Sequence, residues 1–364
     1  MGKGKIVVMN TQLEQLLSEI QPSDRESMRQ AADRWKTVGK PLYSLGKLEE
    51  AVIKMAGIKG TPDYELKKKG LIILCADNGV VAEGVTQTGQ EVTAIVAENF
   101  TRNATSVCMM SKVAGVDVFP YDVGMATFVP SVTKEEYKTA CGTQNIVRGP
   151  AMSREEAIQT ILTGVRIVQH LSEEGYDLLA TGEMGIGNTT TSSAVFSVLS
   201  EMEPAEVTGR GAGLSSEGLN RKIDAICKAI RVNCPDRSDP IDVLAKVGGF
   251  DLAGLVGVFI GGAVYHVPVI IDGFISSVAA LCAVKLNPSC IDYMMPSHCS
   301  GEPAGRLVME NLGLSPLIQC NMSLGEGSGA VAVVPLLEMG LSVYRNMGTF
   351  EEIHVEQYED LNEK

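Results

Sequence analysis

Apolar and polar positions alternate with two different textures along this chain. From residue 10 to 58 the apolar residues recur three and four apart in "TQLEQLLSEI", "RESMRQAADRWKTV" and "GKLEEAVIKMAGI", the spacing of amphipathic helices. Pro22, Ser23 and Asp24 supply a break and a helix start between the first two. After "KGTPDYELKKKG" short β-rich runs take over, each followed by glycine or polar residues and then by a helical pattern. Six such runs predict strands over 70–77, 115–123, 176–183, 267–272, 291–298 and 316–324. The helical patterns between and after them cover 89–102, 153–174, 189–201, 216–232, 250–264, 274–284, 303–312 and 328–340.

Strand–helix alternation of this kind predicts an α/β fold with a Rossmann-like parallel sheet flanked by helices. In such sheets ligands bind beyond the carboxyl ends of the strands, so the loops there are where chemistry is sought. The helices near the two chain ends are expected to pack together as a small helical domain beside the sheet. The last stretch, "RNMGTFEEIHVEQYEDLNEK", reads as a short helix and a solvated acidic tail. "LAGLVGVFIGGAVYH" (252–266) is apolar enough to consider as a membrane span, but it is too short, and Asp251 and Asp272 bracket it. A buried helix is expected instead, with Gly254, Gly257, Gly261 and Gly262 admitting another helix closely, at a subunit contact.

Composition narrows the class of ligand. A length of 364 residues, 45% hydrophobic residues and a mean hydropathy of +0.11 describe a globular chain with a substantial core. A net charge of −13 argues against a nucleic-acid surface, which would need a basic face. An anionic ligand must therefore be held by backbone dipoles and one or two cations. Nine cysteines, none in a C-x-x-C pair and most with apolar neighbours, read as small buried hydrophobes in a reducing cytoplasm. Four scattered histidines make no zinc framework.

The candidate chemistry lies in "ATGEMGIGNTTTSSAV" (180–195), where Glu183 stands among glycines just before a threonine run that opens a helix. A helix N-terminus leaves N–H groups unpaired and carries partial positive charge, so it binds anions without side-chain cations. Gly185 and Gly187 let a ligand approach the backbone, and Asn188 and Thr189 add donors. A tight turn with a threonine cap accounts for the same residues equally well. The layout recurs in "LIQCNMSLGEGSGAVAVVPLLEMGL" (317–341), where Glu326 sits between Gly325 and Gly327. Two further loops add to the case: "VTGRGAGLSSEGLNRKIDAI" (207–226) with Gly211 and Lys222, and "SHCSGEPAGR" (297–306) with Ser300. Several anion sites and two carboxylates at one sheet edge suit glycosyl transfer from a nucleotide. The sugar carbon develops oxocarbenium character, and an incoming N–H or O–H nucleophile must lose a proton.

At these residues the chain resembles the nicotinate-nucleotide:dimethylbenzimidazole phosphoribosyltransferase family. "KPLYSLGKLEE" (40–50), "CADNGVVAEGVTQTGQEVT" (75–93), "GEMGIGNTTTSSA" (182–194), "VTGRGAGLSSEGLNRK" (207–222), "GGFDLAGLVG" (248–257), "PVIIDGFISSVAALCA" (268–283), "SHCSGEP" (297–303) and "LGEGSGA" (324–330) follow its blocks in order. The resemblance implies a large α/β catalytic domain over 65–340 and a small helical domain from 1–64 plus 341–364. It also implies a homodimer with no cofactor and no metal. The donor would be nicotinate mononucleotide and the acceptor an aromatic base. Glu326 matches the family's general base and Glu183 its second acid. Gly185, Lys222 and Ser300 fall where the family contacts the nucleotide phosphate, and Gln90 and Leu324 where it lines the base pocket, with Thr86 beside them. The chain departs from the family at Asn78, where "DHG" is usual, in "TQTGQ" (86–90), which lacks an aromatic residue ahead of the glutamine, and in the Leu-Tyr of "KPLYSLG". The first two departures leave the acceptor open to adenine or a phenol. A transferase using phosphoribosyl pyrophosphate fits less well, because "PVIIDGFISS" ends in the single acid Asp272, better read as a strand-end cap. A nucleotide-binding subunit that needs a catalytic partner would be expected to lack Glu326.

Overall fold

A computed structural model describes residues 3–360, with side chains described from residue 8 onward. Three helices, α1 (Lys3–Glu19), α2 (Arg25–Thr37) and α3 (Lys47–Lys59), precede β1 (Lys69–Ala76). Then come α4 (Glu91–Thr101), α5 (Ser106–Ala114), β2 (Asp117–Gly124), α6 (Arg154–Glu173) and β3 (Leu178–Met184). A helical run of α7 (Asn188–Ser200), α8 (Pro204–Val207), α9 (Ser216–Asn233), α10 (Pro240–Val247) and α11 (Phe250–Val264) leads to β4 (Val269–Ile271). The chain ends with α12 (Phe274–Leu286), β5 (Met294–Pro296), α13 (Gly305–Leu312) and α14 (Ser328–Asn346). Local sequence explains the helix starts. Asp24 accepts the Glu26 N–H at 2.9 Å to cap α2, and Ser153 with Glu156 forms a reciprocal capping box on α6.

The sheet is parallel throughout in the order β2-β1-β3-β4-β5. That order reverses direction between β1 and β3, which makes the carboxyl ends of those two strands the switch point where ligands bind. Seven consecutive residues of β1 are buried, as expected of a strand covered on both faces. α11 covers the face of Leu74, and the start of α14 covers the opposite face at Leu71.

The apolar stretch at 252–266 forms most of α11, which is buried from Phe250 to Ala263, and no described helix is long and apolar enough to cross a membrane. Gly257 and Gly261 do admit another helix, but that helix is α6 of the same chain, while Gly254 and Gly262 pack on Leu74 of β1 and Val269 of β4, which corrects the expected subunit contact. A methyl group on Gly257 would strike the carbonyl of Ile161, and one on Gly164 would strike that of Gly254.

The sixth expected strand does not form. Residues 316–324 make one isolated bridge, Ile318 with His298, and Leu317 and Ile318 both donate to the Ser297 carbonyl. Asn321 has φ +51, which ends the extended run, and its neighbours are open to solvent. α5 and α10 were hidden from the periodicity, and α14 continues past the expected end at 340, through Pro335. After α14 the expected helix is a turn, with Ile353 donating to Thr349 and His354 to Glu351, before an extended stretch; residues 361–364 lie outside the described residues.

Chain ends meet at Trp35 and Tyr344, whose rings lie 5.2 Å apart, and at Gly39, which donates to Gly348 at 2.9 Å. α2 and α3 share this cluster with the end of α14, while α1 lies against α6 and α11. Cys75, Cys108, Cys282 and Cys290 are buried as expected, whereas Cys141, Cys227, Cys234 and Cys320 are exposed; all nine are free thiols.

Candidate active site

A cavity of about 280 Å³ opens at the carboxyl edge of the sheet. Its wall is built from loops that follow β1, β3, β4 and β5, together with the glycine-rich loop before α9 and the loop before α14. Each expected loop therefore reaches one place.

The two Gly-Glu loops have different fates. Before α7, Gly187 takes φ +95, and the N–H groups of Gly187 and Thr189 find no partner among the described residues. Those donors stay open to an anion, reinforced by the helix dipole. Before α14, the equivalent groups are already used. Asp272, at the end of β4, accepts from Gly329 at 2.9 Å, Ala330 at 3.0 Å and Gly327 at 3.2 Å. Asp272 thus stands at a strand end, but the amides it caps are those of α14, a helix remote in sequence. Thr181 ties this cap to β3, accepting from the Asp272 N–H at 3.1 Å and donating to the Ile270 carbonyl at 2.9 Å.

Glu326 sits in the second loop at φ +62, between two glycines that also have positive φ. A non-glycine residue there carries backbone strain. Close packing holds the loop in place: a Cβ on Gly182 would lie 2.6 Å from the Glu326 carbonyl oxygen. The Glu326 carboxylate accepts the Val107 N–H of α5 at 3.3 Å. Burial raises its pKa above the ordinary carboxylate value, the Val107 N–H opposes that shift, and Asp272 adds to it. A carboxylate raised in this way is a better proton acceptor at neutral pH than a free one.

Glu183, at the end of β3, is buried with 7% exposure and accepts from the Asn188 side chain. Burial first, then the charge of Asp251, pushes its pKa up to about 8 against the pull of Asn188. A Cβ on Gly325 would lie 2.7 Å from Glu183 Oε1, so the two acidic loops touch.

Of the expected site residues, Glu183, Glu326, Gly185, Gly187, Asn188, Thr189, Gly211, Ser300, Gly325, Thr86 and Leu324 all line the cavity. Three do not. Lys222 is fully buried one layer behind the wall, donating to Thr189 Oγ1 at 2.8 Å and the Gly209 carbonyl at 3.0 Å. Burial lowers its pKa to about 8, and Glu302 opposes the shift. The Gln90 side chain turns to the Asn78 carbonyl at 2.9 Å, leaving Gln87 on the wall. Gly327 has committed its N–H to Asp272. Asn78 is likewise off the acceptor side. It is buried beneath Gly185 and Gly187, so that departure bears on the anion loop. Sequence reasoning passed over Val107 and Asp251. Asp251 is buried at the start of α11, and only its place inside the "GGFDLAG" block hinted at it.

Open helix amides facing two raised carboxyl groups, at the switch point of a parallel sheet, define an α/β nucleotide site equipped for acid–base chemistry. A family model described as phosphoribosyltransferase matches residues 20–355. A nicotinate-nucleotide–dimethylbenzimidazole phosphoribosyltransferase of Ruminiclostridium cellulolyticum is 47% identical over 348 residues, covering 96% of this chain and 99% of that protein. The protein of the same name from Escherichia coli strain K12 is 42% identical over 337 residues, covering 92% and 94%. A crystal structure of CobT from Thermus thermophilus superposes with a TM-score of 0.86 at 37% identity, covering 92% of this chain and all of that one. The chain belongs to this phosphoribosyltransferase family.

Proposed function

We propose that the protein transfers the phosphoribosyl group of nicotinate mononucleotide to an aromatic base such as 5,6-dimethylbenzimidazole. The products are the α-ribotide phosphate, for the nucleotide loop of cobalamin, and nicotinate. The observation that carries the reading is Glu326, held by Val107 on the wall of a cavity that is also lined by the open amides of α7. The donor phosphate lies on Gly185, Gly187, Asn188, Thr189 and Gly211, with Ser300 beside it and Lys222 acting from behind through Thr189. Glu183 faces the ribose and the charged leaving group. Thr86 and Leu324 flank the flat acceptor, and Leu324 is 54% exposed, ready to be covered by a ring. Glu326 takes the acceptor's ring N–H proton while the other nitrogen attacks the anomeric carbon. Inversion there expels nicotinate on the opposite side.

The working form in this reading is a cytoplasmic homodimer. Exposed Met109 and Val113 on α5 and Met339 on the adjoining α14 supply apolar surface for such a contact. Residues 1–64 with 341–364 act as the small domain and 65–340 as the catalytic one, consistent with the meeting of the chain ends at Trp35 and Tyr344. The test is turnover by the purified chain alone. Nicotinate and α-ribotide phosphate are expected in equal amounts from nicotinate mononucleotide and dimethylbenzimidazole. No nicotinate release with any aromatic acceptor would contradict the reading.

A further inference from the structure

Behind the cavity wall lies a second acid that the reaction as described does not use. Asp251 has no exposed surface, and its Oδ2 has no hydrogen-bond partner among the described residues. That oxygen lies directly under Gly185 of the anion loop, 2.5 Å from where a Cβ would stand. Asn188 donates to Glu183 and also faces the Asp251 carboxylate, as Asn78 does from β1's end. Glu183 and Asp251 therefore share one amide side chain as a neighbour, while the other Asp251 oxygen accepts the Leu252 N–H at 3.0 Å.

The charged groups that bear on Glu183 are all acids. Glu183 is faced by Asp251 from α11, Asp272 from β4 and Glu326 from the loop before α14. Cys75 of β1 adjoins the same group, together with Asp77 and Asp122. The cations around the site are engaged elsewhere: Lys138 pairs with Asp122 at 2.8 Å, Lys222 faces Glu302, and Arg210 on the cavity wall donates to the Leu214 carbonyl at 2.8 Å and to Ser216 Oγ at 3.1 Å. Buried carboxyls in such company cannot all ionise, so they titrate as a coupled set and hold protons to higher pH than free acids. A positive charge entering the cavity reverses that balance.

We propose that Asp251 is a positioning residue, coupled to Glu183 through Asn188, and that this unit releases a proton to solvent when the positive ring nitrogen of an N-ribosylpyridinium nucleotide is seated beside Glu183. The inference rests on the proposed phosphoribosyl transfer, because it takes the pyridinium donor as the ligand. Neutral Glu183 in the empty site becomes a carboxylate once the pyridinium arrives, in time to face the charge that develops on the sugar carbon. The site thereby favours a donor with a quaternary ring nitrogen at the sugar carbon over nucleotides that share its phosphate but have an uncharged base.

Titration calorimetry of the whole enzyme at pH 7, in two buffers of different ionisation enthalpy, counts the protons. Nicotinate mononucleotide is expected to release on the order of one proton beyond that released by ribose 5-phosphate, which carries the phosphate without the pyridinium. Asp251→Asn should bind the donor yet lose most of that excess, and its kcat–pH profile should shift to lower pH as Glu183 loses its charged neighbour. Equal release with both ligands overturns the inference, and so does an unchanged excess in Asp251→Asn. The two-ligand comparison uses the wild-type enzyme, so it stands even if the variant fails to fold. Absence of donor binding would instead fall on the proposed function itself, and would take this inference with it.

Discussion

The Glu326 carboxylate accepts the backbone N–H of Val107 at 3.3 Å, so an acid carried by the loop before α14 is steered by the first turn of α5. One oxygen is tethered and the other is left for a proton. The second anchor is steric. The carbonyl of Glu326 rests on Gly182, at the end of the neighbouring strand, where a Cβ would lie 2.6 Å away. The base is therefore placed by three elements distant in sequence.

Gly182→Ala tests that placement without touching any carboxylate. The methyl group must push the Glu326 loop outward, and a displacement near 1 Å costs about 10²-fold in rate. We expect kcat to fall by that order while far-ultraviolet circular dichroism stays unchanged. A kcat within a few-fold of wild type would show that the loop position does not govern the chemistry.

Lys222 acts from behind the wall, so its removal leaves Thr189 Oγ1 and the Gly209 carbonyl without their ammonium donor. Lys222→Ala should raise the KM for nicotinate mononucleotide by about 10–100-fold, the scale of a lost charge-assisted hydrogen bond. kcat should change less, and thermal stability should drop. An unchanged KM in steady-state kinetics would remove Lys222 from donor binding.

Burial of Glu183 makes the ligand-free protein sensitive to pH. Its folded pKa of about 8 lies above the ordinary value of 4.5. The native state therefore binds the extra proton between those limits, and stability falls as pH rises through that window. Below it the contribution is fully present. Glu183→Gln cannot ionise, so its advantage over wild type should grow from pH 4.5 to about 8, reaching the order of a few kcal/mol. Thermal melts of both proteins across this range provide the check, and parallel curves would mean that Glu183 does not titrate there.

Acceptor choice should follow the wall at Thr86 and Leu324. Leu324→Ala removes apolar surface from one side of the base, and such changes shift kcat/KM by about 10–200-fold. We expect the ranking among dimethylbenzimidazole, adenine and p-cresol to change, with the KM for the donor nearly constant. Identical selectivity would place the acceptor elsewhere.

Most of the sheet and the cavity was legible in the sequence because strands covered on both faces read as continuous apolar runs, and because glycine marks the turns between strand and helix. The segment 316–324 misled for the same reason: its apolar residues resemble a strand, but Asn321 turns the backbone and solvent covers one side. The two Gly-Glu loops looked alike in sequence, yet Asp272 caps only α14, a contact between residues more than fifty positions apart. Gln90 and Lys222 matched by position, but their side chains turn to Asn78 and Gly209. Local pattern does not encode which way such a side chain goes. Asp251 was passed over because, beside an apolar stretch, it reads as the charged flank of a buried helix, and only the fold brings it under Gly185.

Removal of the acceptor's proton by Glu326 is the step on which the proposed reaction turns. Glu326→Gln isolates it, with kcat and the Kd for nicotinate mononucleotide measured on the same preparation. A kcat lowered by about 10²–10⁴-fold with a Kd within a few-fold of wild type is the predicted result. A kcat within a few-fold of wild type would contradict it.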